Sequence, residues 1–239
     1  MKREDADKGQ RTSSAQSHRI SSFLRALRVL RGESMKMLQA RGLAKRFGAR
    51  RVFGPLDFDL ESGKAIAIVG RNGAGKSTLL KIVAGLERAS RGEIVWRDAN
   101  IKSENSLSEL RTLCGLSAPD APHPRELSVL ENLDFVSNVR GLELSRDELL
   151  SHLESCGLSG REHDLAGELS SGLRTRLSLS IAILHAPPIL LLDEPGANLD
   201  DSGRELLHRV LDVQRTRGIA LVATNDAREA DLCDERIEL

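Results

Sequence analysis

The apolar and polar positions of this chain keep two different periods, and the period switches several times. From Met37 to Glu61, MLQARGLAKRF and RVFGPLDFDLE alternate polar with apolar residues, which predicts two paired strands. KAIAIVG is a short unbroken apolar run ending in Gly70, the pattern of a buried strand. KSTLLKIVAGL then places Leu79, Leu80, Val83 and Leu86 on one side of a helix, and EIVWRD reads as a further strand. Ser128 opens SVLENLDFVSNV with Glu131 three positions on, and Ser145 opens SRDELLSHLESCGL with Glu148 at the same offset. Both are capping boxes ahead of apolar helical runs. A longer helix is predicted from about Leu173 to Leu184, then a strand, PPILLLDEP, stopped by Pro195. RELLHRVLDVQ follows as a helix, GIALVATND as a strand, and RIEL as the last strand. Strands alternating with helices indicate an α/β fold with a mainly parallel sheet. The consecutive helices between Ser128 and Gly160 break that rhythm and read as an insertion.

Residues 1–34 follow neither period. Their first half is polar, without periodicity, and reads as disordered. Ile20, Phe23, Leu24, Leu27 and Leu30 then fall near helical spacing with Arg19, Arg25, Arg28 and Arg31 between them. Four readings of this basic amphipathic stretch stand: an ordinary docking helix, a helix on an anionic membrane surface, a targeting segment (against which Glu4, Asp5 and Asp7 argue), or a leader upstream of a true start at Met35 or Met37. The last is favoured, because every interpretable pattern begins at Met37.

Composition narrows the function classes. Lysine plus arginine equal aspartate plus glutamate, 35 against 35, so bulk charge gives no reason to expect a nucleic-acid partner. Cys114, Cys156 and Cys233 lie far apart without metal-ligand spacing and read as small buried apolar residues in a reducing compartment. No apolar run approaches the roughly 20 residues a membrane span requires.

The chemistry is concentrated in VGRNGAGKST, residues 69–78. Gly70, Gly73 and Gly75 let the backbone wrap with its N–H groups pointing inward, between a buried strand and a helix that opens at Lys76. A nest of amides on the positive end of a helix is an anion site for phosphates. Lys76 adds a point charge for the β- and γ-phosphates, and Ser77 a hydroxyl for Mg²⁺. A second element is the apolar strand Ile189–Leu192, which delivers Asp193 and Glu194 at its end. Two acids there are costly without a cation or strong donors. Asp193 suits the metal, and Glu194 suits the attacking water.

Together these blocks resemble the ABC-type ATPase family, the nucleotide-binding subunits of transporters, from about Met37 to the C-terminus. GRNGAGKST and LLLDE carry the resemblance, with ELSSGL at 168–173 where the family has LSGGQ, and ANLD, Ala197 to Asp200, like its D-loop. The resemblance implies a P-loop NTPase with a RecA-like, mixed but mainly parallel core sheet. It adds an antiparallel β subdomain and an inserted α-helical subdomain at about 120–170, all in one ATPase domain at 37–239. ATP and Mg²⁺ are the implied cofactors. Gly70, Asn72, Gly73, Ala74, Gly75, Lys76, Ser77 and Thr78 would hold the phosphates, and Phe47, in KRFG, would stack on adenine. Ser77 and Asp193 would serve the metal. Ser170 and Gly172 would reach the γ-phosphate of an ATP bound to the other cassette of a homodimer or heterodimer, with Asp200 communicating across it.

Three departures from the family pattern surround the γ-phosphate. Ser171 replaces a signature glycine and Leu173 its glutamine. Pro119 or Asp120 stands where a Q-loop glutamine belongs, and the chain's glutamines are Gln10, Gln16, Gln39 and Gln214. Asn225 replaces the switch histidine; it donates a hydrogen bond but carries no proton. ATP binding of ordinary strength with slow hydrolysis is therefore expected. The resemblance further implies transmembrane permease subunits as partners and a peripheral place on the cytoplasmic face of the inner or plasma membrane. A compact core with the stretch ELSVLENLDF is similar to the ATP-binding subunit of the cytochrome c maturation haem exporter. An ATP-gated regulatory or assembly module with very slow turnover is the alternative.

Overall fold

A computed structural model describes residues 36–97, 107–119 and 123–239. The readings of residues 1–34 and of Asp120 lie outside the described residues. Two sheets form. In the first, β1 (Met37–Phe47) pairs antiparallel with β2 (Arg50–Glu61) on one side and β4 (Arg91–Arg97) on the other. The second is parallel throughout its pairings, in the order β5 (Cys114–Ser117), β6 (Ile189–Asp193), β7 (Ile219–Ala223), β3 (Lys64–Val69), β8 (Glu235–Glu238).

The central strands β3, β6 and β7 are buried on both faces, which is why they read as continuous apolar runs, whereas the edge strand β8 is largely exposed. Their side chains still alternate. Ile66, Ile68, Ile189, Leu191, Ile219 and Leu221 face one core, shared with α1 (Lys76–Val83) and the antiparallel sheet through Leu38, Leu43, Phe53 and Trp96. Ala65, Leu190, Leu192, Ala220 and Val222 face the other. There they meet α3 (Val129–Arg140), α4 (Arg146–Ser155), α5 (Ser171–Ile183) and α6 (Asp201–Arg217). Period-two alternation across one sheet thus divides two cores.

Both capping boxes form. Ser128 Oγ accepts from Glu131 N at 3.2 Å while Glu131 Oε2 accepts from Ser128 N at 2.7 Å, and Ser145 and Glu148 repeat the exchange at 3.3 and 2.8 Å. Each cap contributes about 1 kcal/mol.

Several expectations are corrected. The helix after the glycine-rich loop stops at Val83, because Gly85 turns left-handed at φ 68°. Leu86 therefore falls beyond it and is 56% exposed, off the buried side that Leu79, Leu80 and Val83 share. The helix expected from Leu173 starts two residues earlier, at Ser171, since Ser170 caps it by accepting from Leu173 N. Cys114 and Cys156 are buried, whereas Cys233 is only half-buried. The sequence reading assigned neither α2 (Leu107–Leu113) nor β5, whose four residues, CGLS, are too few to show a period. The short α7 (Ala227–Ala230) was also unassigned.

Candidate functional site

The parallel register brings four strand ends to one edge. Asp193 and Ile68 both pair with Ala223, and Ser117 pairs with Leu192. The chain leaving β3, β6, β7 and β5 therefore delivers Gly70, Glu194, Thr224–Asn225 and Ala118–Pro119 side by side. Ligands in open α/β sheets bind outside these carboxyl ends.

The loop between β3 and α1 is held against β2. Gly75, the N-cap of α1, has φ 108°, and a Cβ built on it would lie 2.6 Å from Val52 Cγ1 and 2.9 Å from Phe53 Cδ1. Only glycine fits. The start of α1 has no side-chain cap and no acid in its first turn, so the positive end of its dipole is left for an external anion. Lys76 is 7% exposed, and its ammonium donates to Gly70 O at 3.0 Å and to Asn225 Oδ1 at 2.6 Å. Both acceptors are neutral, and a phosphate oxygen is a stronger partner. Asn72 and Ser77 are exposed, and Ala74 and Thr78 half-buried.

Glu194 and Asn225 complete the convergence. Glu194 Oε1 lies 3.8 Å from Lys76 Nζ, and its Oε2 accepts from Asn225 N at 3.3 Å and Thr224 Oγ1 at 3.5 Å. Its backbone is left-handed, φ 47°, a strained geometry for a residue with a Cβ. Asn225 Nδ2 donates to Asn72 Oδ1, so this one amide bridges both ends of the loop. Asp193 is buried at the end of β6. The donor set fits the groups the sequence implied. Amides and an ammonium suit a polyphosphate, and the hard oxygens of Ser77 and Asp193 suit Mg²⁺.

The signature residues gather elsewhere. Ser170, Gly172, Asn198, Asp200 and Arg176 line a cavity of about 810 Å³ that includes no residue of 69–78. Asp200 caps α6 by accepting from Gly203 N at 2.8 Å and pairs with Arg176 at 2.6 Å; these contacts hold its carboxyl below the usual range. Ser170 and Gly172 thus share their cavity with Asp200 and Arg176 rather than with the loop. Phe47 ends β1, 52% exposed, with Lys45 Nζ 4.5 Å from its ring centre. No described glutamine reaches the site: Gln39 bonds Asp59, and buried Gln214 bonds the carbonyls of Pro187 and Ile219. Pro119 lines a cavity of about 480 Å³ with His123, Arg174, Asp193 and Glu194. Burial pushes the His123 imidazole below its usual pKa. Sequence reasoning missed His123, Arg174, Arg176, Thr224 and Glu229. Their spacing carries no signal, because distant segments assemble them.

Comparison with known proteins bears on the family and the fold. The ABC transporter family matches residues 53–197. An aliphatic sulfonates import ATP-binding protein, SsuB, of Albidiferax ferrireducens is 40% identical over 88% of this chain and 73% of its own length. A cytochrome c biogenesis ATP-binding export protein, CcmA, of Xanthomonas campestris pv. campestris is also 40% identical, over 81% of this chain and 89% of its own. The fold is shared with the dimeric ATP-binding cassette MJ0796 bound to ADP and Pi, at TM-score 0.74 and 22% identity, covering 84% of this chain and 94% of that one. With its phosphate loop, acidic strand and signature cavity in this arrangement, the chain belongs to the ATP-binding subunits of the ABC transporter family.

Proposed function

We propose that this chain hydrolyses ATP to drive separate membrane subunits, closing against a second cassette around two nucleotides. The supporting observation is the convergence at Lys76: its ammonium meets Asn225 at 2.6 Å and Glu194 at 3.8 Å, groups separated widely in sequence. The amides of 70–78 and Lys76 bind the polyphosphate, and Phe47 offers its exposed ring to the adenine. Ser77 and Asp193 would hold Mg²⁺, which when bound neutralises charge on the phosphate oxygens. Glu194 orients the attacking water and takes its proton at a carboxylate oxygen, while the Asn225 amide N–H steadies Oε2. Ser170 and Asp200 are exposed and Gly172 half-buried beside them, which suits completion of the partner cassette's site.

Turnover is slow in this reading. Asn225 already spends its amide on Lys76 and Asn72 and has no proton to carry. The membrane subunits dock in an apolar groove of about 300 Å³ beside the helical insert, where Leu86, Phe135 and Val139 lie exposed. Among the described residues no helix is long and apolar enough to cross a membrane, so the span belongs to those partners. Residues 37–239 act as one ATPase domain, with the insert at about 120–170. Export in cytochrome c biogenesis, with haem as the cargo, is the favoured transport role, supported by the 89% of the CcmA relative's length that the match spans.

Purification from membranes with ATPase assay tests this. A membrane subunit should co-purify, and Glu194→Gln should keep nucleotide binding while turnover collapses. ATP binding with neither turnover nor a membrane partner would replace transport with a regulatory role.

A further inference from the structure

We infer that Glu229 is a positioning residue for Glu194: its buried carboxyl holds the Gly196 amide and so fixes the turn that aims the hydrolytic carboxylate. The inference rests on the reading of Glu194 as the group that directs water.

Glu229 lies in α7, 8% exposed, behind the strand end that carries Glu194. Its Oε1 accepts from Gly196 N at 3.1 Å. A Cβ built on Gly196 would lie 2.2 Å from that oxygen, so the approach requires glycine. Residue 196 sits two positions past the strained, left-handed Glu194, in a turn closed by Ala197 N to Glu194 O at 3.1 Å and Asn198 N to Gly196 O at 2.9 Å. The end of β7 and the segment after it already grip Glu194, through Ala223 O at 2.8 Å, Asn225 N and Thr224 Oγ1. Glu229 adds a grip downstream of the strained residue, which keeps the turn from relaxing to an ordinary backbone.

Simple packing does not account for this side chain. Beyond the Thr224 hydroxyl beside the carboxyl, Glu229 Oε2 is buried with no hydrogen bond of ordinary geometry among the described residues, and an apolar residue would fill the space at lower cost. Glu194 and Asp226 face it with like charge, and the Cys233 thiol lies nearby. Burial pushes its carboxyl above the usual range, these two acids add to the rise, and the Thr224 hydroxyl opposes it. A carboxyl kept in such surroundings is doing something a methyl group would not.

Steady-state ATPase and fluorescent-nucleotide binding on the full chain test the inference. In Glu229→Ala the Gly196 N–H loses its acceptor, and kcat should fall about tenfold or more while the KM for ATP and nucleotide affinity stay within about twofold. Glu229→Gln keeps an acceptor oxygen in place and should restore most of kcat. Gly196→Ala drives its Cβ into the same oxygen and should lower kcat similarly, and the double variant Gly196→Ala/Glu229→Ala should be no slower than either single. A wild-type kcat in Glu229→Ala, a Glu229→Gln as slow as Glu229→Ala, or losses that multiply in the double variant would each overturn it. Should Glu229→Ala not fold by circular dichroism, Glu229→Gln against Gly196→Ala carries the comparison: a near-normal rate in the first and a slow one in the second support the inference, and equal rates overturn it. Glu194→Gln runs alongside. If it turns over normally, the reading of Glu194 fails; if it is silent while Glu229→Ala is normal, only the positioning role fails.

Discussion

Replacing Gly75 by alanine probes the seat of the phosphate loop. Gly75 caps α1 at φ 108° and ψ 12°, a region that residues with a Cβ rarely enter. Holding alanine there costs about 1–3 kcal/mol in backbone strain. The added methyl would also stand 2.6 Å from Val52 Cγ1 and 2.9 Å from Phe53 Cδ1. Val52 can rotate away. Phe53, 5% exposed in the core, must push its neighbours, which adds about 1–3 kcal/mol of overpacking. The total, about 2–6 kcal/mol, is a large share of the roughly 5–15 kcal/mol that holds a typical protein folded. Gly73 supplies the control. Its φ is 81°, yet nothing lies within 4 Å of a Cβ built there, so Gly73→Ala carries the backbone cost alone. Urea unfolding of the two variants beside the parent should place Gly75→Ala at least about 1 kcal/mol below Gly73→Ala. Equal midpoints, or a weaker Gly73→Ala, would refute the packing of this loop on β2 and with it the preformed cradle.

Other outcomes follow from the same geometry. Lys76→Ala should weaken Mg·ATP binding at least about 100-fold by calorimetry, because a buried ammonium facing a phosphate at 4 Å is worth about 4 kcal/mol at an intermediate dielectric. Asn225→His should hydrolyse ATP about tenfold faster or more than the parent, by phosphate release, since it restores a donor that can carry a proton; a parent already as fast would contradict the reading. Ser128→Ala should lower stability by about 1 kcal/mol in urea titration through loss of the α3 capping box, with ATP affinity unchanged. His185 is pushed down to about 4 by burial, with the Arg140 charge adding. The unfolded chain protonates it near its ordinary value of 6.5 while the folded chain does not. Stability should therefore be full above the unfolded value, fall as pH drops from about 6.5 toward 4 by about 1–2 kcal/mol once solvent screening of the partly exposed ring is allowed for, and level off below that, and His185→Gln should flatten the slope.

Much of this molecule was legible in its residues. KAIAIVG, ILLLD and IALVA are apolar throughout because their strands are covered on both faces, and local composition suffices to read that. The two serine–glutamate boxes were legible for the same reason: a cap involves residues three apart. So was the phosphate loop, whose chemistry is written in consecutive positions. Helix ends were read less well, because a left-handed Gly85 or a serine cap moves a boundary without disturbing the apolar period around it. β5 escaped notice because four residues cannot show a period.

The sequence by itself determined the cradle, the acidic strand end and the family, since each depends on neighbouring residues along the chain. Only the tertiary structure decided that Asn225 ties Lys76 to Asn72, that Arg176 pairs with Asp200, and that Glu229 sits under Gly196. Those contacts join segments 24 to 153 residues apart. Strand order and register, not local propensity, set which of them meet, because pairing in the parallel sheet aligns whole strand ends at once.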